Sequence, residues 1–277
     1  MNLILLNKNE LDSHGLATLV GRRAKHICEV IKPTVGDRLN AGIIDGDIGK
    51  AEVIAITGSD GADNEASVTL KIDNDTLRNS SPAPIDISLV IALPRPKVTR
   101  RIIGLCTECG VKDIHFINSY RVEKSFWQSP LLSDDKVHKQ IILSLEQAKD
   151  TQLPRIHFHK RFKPFVEDQL PEIAKDKQAL VAHPYNAKIN LEASDYIRGN
   201  DYIRGSDYIR GSDDIEGSDD KLAELKRQPR IIAVGPEGGF IPYEIELLQQ
   251  AGFDTLGLGP RIYRVETVIP LLLGKLA

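Results

Sequence analysis

The chain has 277 residues, of which 41% are hydrophobic, and a net charge of −3. That length allows two domains of ordinary globular composition. No apolar run approaches the roughly 18 to 20 residues needed to cross a membrane. The opening Met1, Asn2, Leu3, Ile4, Leu5, Leu6 lacks the basic start and small-residue cleavage site of a secretory signal, so a cytoplasmic protein without membrane association is expected. Three cysteines, Cys28, Cys106 and Cys109, exclude a disulfide framework. No second cysteine pair completes a four-ligand zinc site around Cys106 and Cys109; no metal is expected, and both read as core residues at a helix end.

Residues 1–76 read as a small β-rich unit. Strand-like runs lie at Leu3 to Leu6, Arg38 to Ile44, Ala51 to Ile56 and Ser67 to Ile72, with a hairpin signal at Asp45, Gly46, Asp47. A short helical stretch from Gly21 to Ile31 falls between the first two runs. A polar link from Asp73 to Pro84 separates this unit from residues 77–277, where strands and helices alternate. Ile85 to Leu93 is the apolar run of a strand buried on both faces. Lys97 to Cys109 has helical period and stops at Gly110, and Val111 to Ile117 is the next strand. Ser133 with Asp134 and Asp135 marks the start of a helix to about Asp150. Arg155 to His159 is strand-like, Phe162 to Ala174 helical, and Ala179 to Ala182 a strand ending at His183 and Pro184. This βαβ series predicts a mostly parallel sheet, on periodicity alone an open doubly wound one.

One segment breaks the rhythm. Ser194 to Gly199 recurs as Asn200 to Gly205, Ser206 to Gly211 and, decayed, Ser212 to Gly217, a period of six within residues 193–220. One apolar residue per copy cannot build a core, so the segment reads as an exposed low-complexity insertion.

The chemistry concentrates near the end of the chain. Gly235, Pro236, Glu237, Gly238 and Gly239 follow the apolar strand Ile231 to Val234 and precede a helix opened by Pro242. Leu258, Gly259, Pro260, Arg261, Ile262, Tyr263, Arg264, Val265, Glu266 and Thr267 follow the strand Phe253 to Leu258. Glycines in such loops let a ligand approach the main chain without meeting a Cβ, and open α/β sheets place ligands at strand ends. The expectation is that these two loops end neighbouring strands. Either alone would be an ordinary turn; the pair is singled out by polar side chains that need partners in tight turns.

The charge is unevenly spread. From Arg95 to Lys163 there are fourteen Lys or Arg against seven Asp or Glu, whereas Ser194 to Asp220 holds three Arg against eight acids. Without that acidic segment the net charge would be +2. A basic field over the middle of the chain, with Arg22, Arg23, Lys25, His26 and Lys32 on the early helical stretch, suits a phosphate backbone.

With these motifs in hand, the chain resembles the small-subunit rRNA uracil-N3 methyltransferases of the SPOUT class. Further matches are Gly21 and Arg22 with His26, Thr107 to Gly110, Ser119 to Arg121, and Glu146 and Gln147 with Pro154. The resemblance spans nearly the whole chain outside the insertion. It implies a PUA-like barrel domain over 1–76, an α/β SPOUT methyltransferase domain over 77–277 with a C-terminal trefoil knot, S-adenosylmethionine as cofactor, and a homodimer acting on ribosomal RNA or the small subunit. Carried over, the cofactor lies among His183, Pro184, Gly235, Pro236, Glu237, Gly238, Gly239, Leu256, Leu258, Gly259, Ile262 and Arg264. Arg264 would stabilise charge developing on the base, and Glu266 or Glu237 would accept the imide proton or brace the loop. RNA contacts would come from Arg22, Arg23, Lys25, His26, Lys32, Arg100, Arg101, Arg121 and Lys124. Pro270, shortly after Glu266 and Thr267, suits a helix only in its first turn or at a kink.

Beside a SPOUT methyltransferase with a different RNA target, two readings of other classes compete. A nicotinamide or flavin enzyme would also use glycine loops, but no Gly-x-Gly-x-x-Gly follows the first strand of the α/β region, where Leu93, Pro94, Arg95 and Pro96 stand. A non-catalytic RNA-binding or assembly factor would keep the fold without needing both loop motifs.

Overall fold

The computed structural model describes residues 3–58, 66–185, 187–191 and 228–277. The repeat segment, Ser194 to Gly217, lies outside the described residues. The chain forms two compact units. One comprises Met1–Pro84, Ile103–Lys112 and Ser133–Pro154; the other comprises Ile85–Ile102, Asp113–Leu132 and Arg155–Ala277.

The first unit is built on a five-stranded sheet of β1 (Ile4–Leu6), β2 (Leu16–Leu19), β3 (Arg38–Ile43), β4 (Ile48–Thr57) and β5 (Ser67–Asp73), in the order β1-β3-β4-β5-β2. Only β1 and β3 run parallel. Alternate residues point inward: Ala17 and Leu19 from β2, Ala51 and Val53 from β4, Val68 and Leu70 from β5 all lie in one apolar core with Leu6 and Ile27. Burying each such Leu, Ile or Val is worth about 1.5–3 kcal/mol. The expected hairpin turn is present, with Asp45 at φ 54° and the Gly46 N–H donating to the Ile43 carbonyl at 2.8 Å. β2 was not foreseen; its four residues take strand form by pairing with β5, a preference too weak to read locally.

The early helical stretch begins as an α-helix, Gly21–His26, and continues as a π turn, Ile27–Ile31. Lys32, at φ 53° and followed by Pro33, closes it; a residue before proline is disfavoured in the right-handed helical region. The helix Asp134–Ala148 also belongs to this unit. Ser133 stands at its N-cap, but its hydroxyl makes no capping hydrogen bond, and the acids Asp134 and Asp135 occupy the first turn.

The second unit holds a seven-stranded, wholly parallel sheet in the order β10-β12-β9-β11-β6-β7-β8. Its strands are β6 (Ile87–Ala92), β7 (Asp113–Ile117), β8 (Arg155–His159), β9 (Gln178–Ala182), β10 (Ile189–Asn190), β11 (Arg230–Val234) and β12 (Asp254–Gly257). β6 and β11 are buried along their whole length, as central strands covered on both faces must be. The expectation that the two glycine loops end neighbouring strands is wrong. β9 stands between β11 and β12.

One further expectation is corrected. Cys106 is buried, but Cys109 is exposed rather than a core residue; burial pushes the Cys106 thiol far up, which makes it inert. Pro270 falls inside the last helix, Val265–Leu276, beyond its first turn, so the carbonyl four residues earlier, that of Glu266, has no helical donor there.

Candidate functional site

Parallel register places three loops at one level of the second unit's sheet. Leu256 on β12 is paired with Ala182 on β9, and Ala182 with Val234 on β11. The next residues therefore stand level: Gly257, the last of β12, with His183 and Gly235, the first residues beyond β9 and β11. The His183 N–H donates to the Leu256 carbonyl at 2.9 Å, carrying the strand pairing one residue into the loop. His183 is thus what fills the gap between the two glycine loops, and burial pulls its imidazole below the usual histidine range.

The Gly235 to Gly239 loop is tight. A Cβ on Gly235 would stand 3.0 Å from the Phe240 backbone nitrogen and 3.3 Å from the Gly239 carbonyl carbon, and Gly239 sits at φ 74°, where only glycine is unstrained. The loop closes through the Gly239 N–H to the Pro236 carbonyl at 2.7 Å. Pro242 occupies the first turn of the helix Pro242–Gln250, as foreseen. Glu244, buried in that helix, accepts from the Ile241 N–H at 3.0 Å and from the Tyr120 N–H at 2.7 Å, so its carboxylate ties the loop after β7 to the helix after β11. Next to Tyr120, the Arg121 guanidinium donates to the Gly238 carbonyl. This arginine, foreseen as an RNA contact, is engaged with the glycine loop.

A cavity of about 380 Å³ opens beside that loop, lined by Arg95, Val98, Glu237, Arg264, Val265 and Glu266. All three foreseen catalytic side chains therefore border one space. Glu266 is half-buried and lies 3.6 Å from the Arg101 guanidinium, whereas Glu237 and Arg264 are exposed. Arg95 was missed as a site residue. It stands just beyond β6, which neighbours β11, so the signal was its place at a strand end; the adjacent prolines obscured it. Of the foreseen cofactor residues, Pro236, Leu256 and Leu258 are buried, while Pro184 and Ile262 are exposed, Ile262 by 72%. Tyr185, exposed beside His183, has its ring 5.8 Å from the imidazole.

The remaining basic residues fall into two sets. In the first unit, Arg22 pairs with Glu146 at 2.8 Å, and Arg23 pairs with Glu10 and donates to the Leu5 carbonyl at 2.9 Å. Both serve internal packing. Lys25 is exposed beside Glu29, at 3.8 Å, and Lys32 is exposed; desolvation leads the effects that hold His26 below its ordinary pKa, with the nearby positive charges acting the same way. In the second unit Arg100, Arg101 and Lys124 are exposed.

A model of an RNA methyltransferase domain matches residues 81–277. A Treponema pallidum (strain Nichols) protein named ribosomal RNA small subunit methyltransferase E is 30% identical over 271 residues, covering 96% of this chain and 87% of its own length. A Borreliella burgdorferi protein named ribosomal RNA small subunit methyltransferase E 1 is 24% identical, covering 96% and 93%. Among solved structures, a Legionella pneumophila putative methyltransferase in complex with the cofactor SAM superposes with a TM-score of 0.67 at 22% identity, covering 99% of this chain and 96% of that one. A ribosomal RNA small subunit methyltransferase E from Neisseria gonorrhoeae bound to S-adenosyl methionine gives 0.64 at 18% identity, covering 99% and 95%. The fold is shared with both.

Proposed function

The chain belongs to the RNA methyltransferase family, and on that footing we propose that it transfers a methyl group from S-adenosylmethionine to N3 of a uridine in small-subunit ribosomal RNA. The observation that carries this reading is the alignment of Gly257, His183 and Gly235 at the carboxyl ends of three neighbouring strands, with Glu237, Arg264 and Glu266 around a single cavity.

The residues present fit the cofactor. Gly239 leaves open space beside its main chain while Gly235 lets the loop close on Phe240, and the exposed Ile262 and Tyr185 offer apolar surface of the kind an adenine ring takes. His183, Pro184, residues 235–239, Leu256, Leu258, Gly259, Ile262 and Arg264 would hold it. When bound, the cofactor supplies a sulfonium methyl that is already electrophilic. What remains for the protein is to align the uracil nitrogen and to manage its imide proton. Arg264 supplies positive charge where the base becomes anionic. Glu237, exposed at the cavity rim, accepts the proton; Glu266, facing Arg101, braces the last helix.

The finer architecture follows the same reading. Strand β12 lies between β10 and β9, which precede it in the chain, an arrangement that supports a C-terminal trefoil knot. The β-rich sheet of residues 1–76 serves as a PUA-like RNA-binding domain with Lys25 and Lys32 toward phosphate, and residues 77–277 carry the methyl transfer. Arg100, Arg101, Arg121 and Lys124 add RNA contacts, the protein works as a homodimer, and it acts in the cytoplasm, where ribosomal subunits are assembled. Mass spectrometry of ribosomal RNA from cells with and without the gene tests the substrate: one methylated uridine of the small subunit disappears in the deletion strain. An unchanged uridine profile overturns the assignment.

A further inference from the structure

The edge of the second unit's sheet carries a set of polar side chains that the proposed methyl transfer does not use. Residues 113, 115 and 117 of β7 project to one face, as do 155, 157 and 159 of β8, and the register sets Asp113 beside Arg155, His115 beside His157 and Ile117 beside His159. Three imidazoles and one carboxylate thus share a face where apolar residues would pack more simply. None of them lines the cavity beside Glu237.

The distances suit coordination. The His115 Nε2 lies 3.3 Å from one Asp113 oxygen and the His157 Nε2 lies 3.5 Å from the other, and one ligand atom from each residue falls within 4.8 Å of the others. Metal–ligand bonds of about 2.0–2.1 Å in a tetrahedron separate ligand atoms by about 3.3–3.4 Å. The outer shell is also built. The other His115 nitrogen meets His159 Nε2 at 3.1 Å, and Phe165 packs on the His159 ring with centroids 4.2 Å apart. Ser88 Oγ reaches Asp113 at 3.4 Å and is itself bonded by Lys177. Such partners orient ligating histidines and fix their tautomers.

We infer that Asp113, His115 and His157 form a binding site for a zinc-class divalent cation, with two imidazole nitrogens and one carboxylate oxygen from the protein and the remaining position left to water. Imidazole-rich donor sets favour borderline transition metals over magnesium or calcium. The rings of His115 and His157 stack 4.7 Å apart at 15°, so their planes are nearly parallel. Binding turns the His157 ring, whose side chain is 42% exposed, toward the carboxylate. Arg155, exposed and 3.8 Å from Asp113, swings away as the cation replaces it.

The test uses the full chain without a histidine tag, stripped with chelator and titrated with Co²⁺ and then Zn²⁺. One equivalent of Co²⁺ is expected to give visible d–d absorption without sulfur-to-metal charge transfer, to be displaced by Zn²⁺ but not by Mg²⁺, and to raise the thermal midpoint. His157→Gln, at a half-exposed position, abolishes the signal while leaving far-UV circular dichroism unchanged; His159→Gln weakens binding about 10–100-fold by releasing the outer shell. Absence of binding, or one equivalent bound undiminished in both His157→Gln and Asp113→Asn, overturns the site. These readouts do not depend on methyl transfer.

Discussion

Arg22 and Glu146, 124 positions apart in the chain, meet at 2.8 Å in the first unit, and the glutamate side chain is only 2% exposed while the arginine is 37% exposed. One Glu146 oxygen has no hydrogen-bond partner. Burial raises the Glu146 carboxyl above its ordinary value, and Arg22 opposes that rise. A carboxyl with a raised folded pKa contributes stability that is full below the unfolded value and lost as pH rises through the folded one. Arg22→Ala removes the opposing charge, so its cost grows with pH. Thermal unfolding at pH 5 and pH 7 should show a loss of about 1–3 kcal/mol at neutral pH and a smaller one in mild acid; equal losses would mean that the pair is not electrostatically coupled.

Arg264 and Glu266 border the same cavity but have different surroundings. Arg264→Ala is expected to lower methyl incorporation about 100–1000-fold, the scale of one lost charge-stabilising donor, with S-adenosylhomocysteine affinity falling far less, because the other loop residues still hold the cofactor. Glu266→Gln, which only loosens the contact with Arg101, should cost less than tenfold. Single-turnover assays beside equilibrium binding separate the two; unchanged turnover in Arg264→Ala removes it from the chemistry.

Two glycines of one loop should respond differently to alanine. At Gly239 a Cβ meets nothing within 4 Å but φ is 74°, so Gly239→Ala costs about 1–2 kcal/mol of backbone strain. At Gly235 the added Cβ presses on the Phe240 main chain and shifts the loop. S-adenosylhomocysteine titration is expected to show the larger affinity loss, roughly tenfold or more, in Gly235→Ala, and calorimetry the larger stability loss in Gly239→Ala.

Arg230 is buried on β11, donating to the Leu276 carbonyl at 2.5 Å and to Gln178 Oε1 at 3.2 Å. It pins the end of the last helix to the sheet. Arg230→Met leaves that carbonyl and amide without their donor and should lower stability by about 1–3 kcal/mol. Denaturant unfolding measures this; a neutral result would show that the apolar side chain repacks and the cation is dispensable.

Deletion of Ser194 to Asp219 should leave the thermal midpoint, S-adenosylhomocysteine binding and methyl incorporation within twofold of the full chain, because a hexapeptide unit with one apolar residue adds no core. Loss of cofactor binding in the shortened protein would give the segment a role in the site.

Much of the architecture was legible from local signals. The runs from Ile87 to Ala92 and from Arg155 to His159 are strands at the foreseen places, and the turn at Asp45 and Gly46 is where it was foreseen. The short strands β2 and β10 were not legible, since their partners rather than their composition make them strands. Asp113, His115, His157 and His159 left a faint trace, polar residues at every second position of apolar strands. Reading it required knowing that β7 and β8 are neighbours.

The sequence by itself determined the longer strands and helices, the glycine loops at 235–239 and 258–264, and the residue types available for chemistry, because these depend on side-chain periodicity and on the φ that each residue tolerates. Only the tertiary structure decided that β9 separates the two loops, that His183 stands level with Gly235 and Gly257, that Arg95 joins Glu237 and Arg264 at one cavity, and that Arg22 is held by Glu146. Strand order and ion pairing are settled by hydrogen bonds and burial between residues far apart in the chain, and neither leaves a fixed spacing in the sequence.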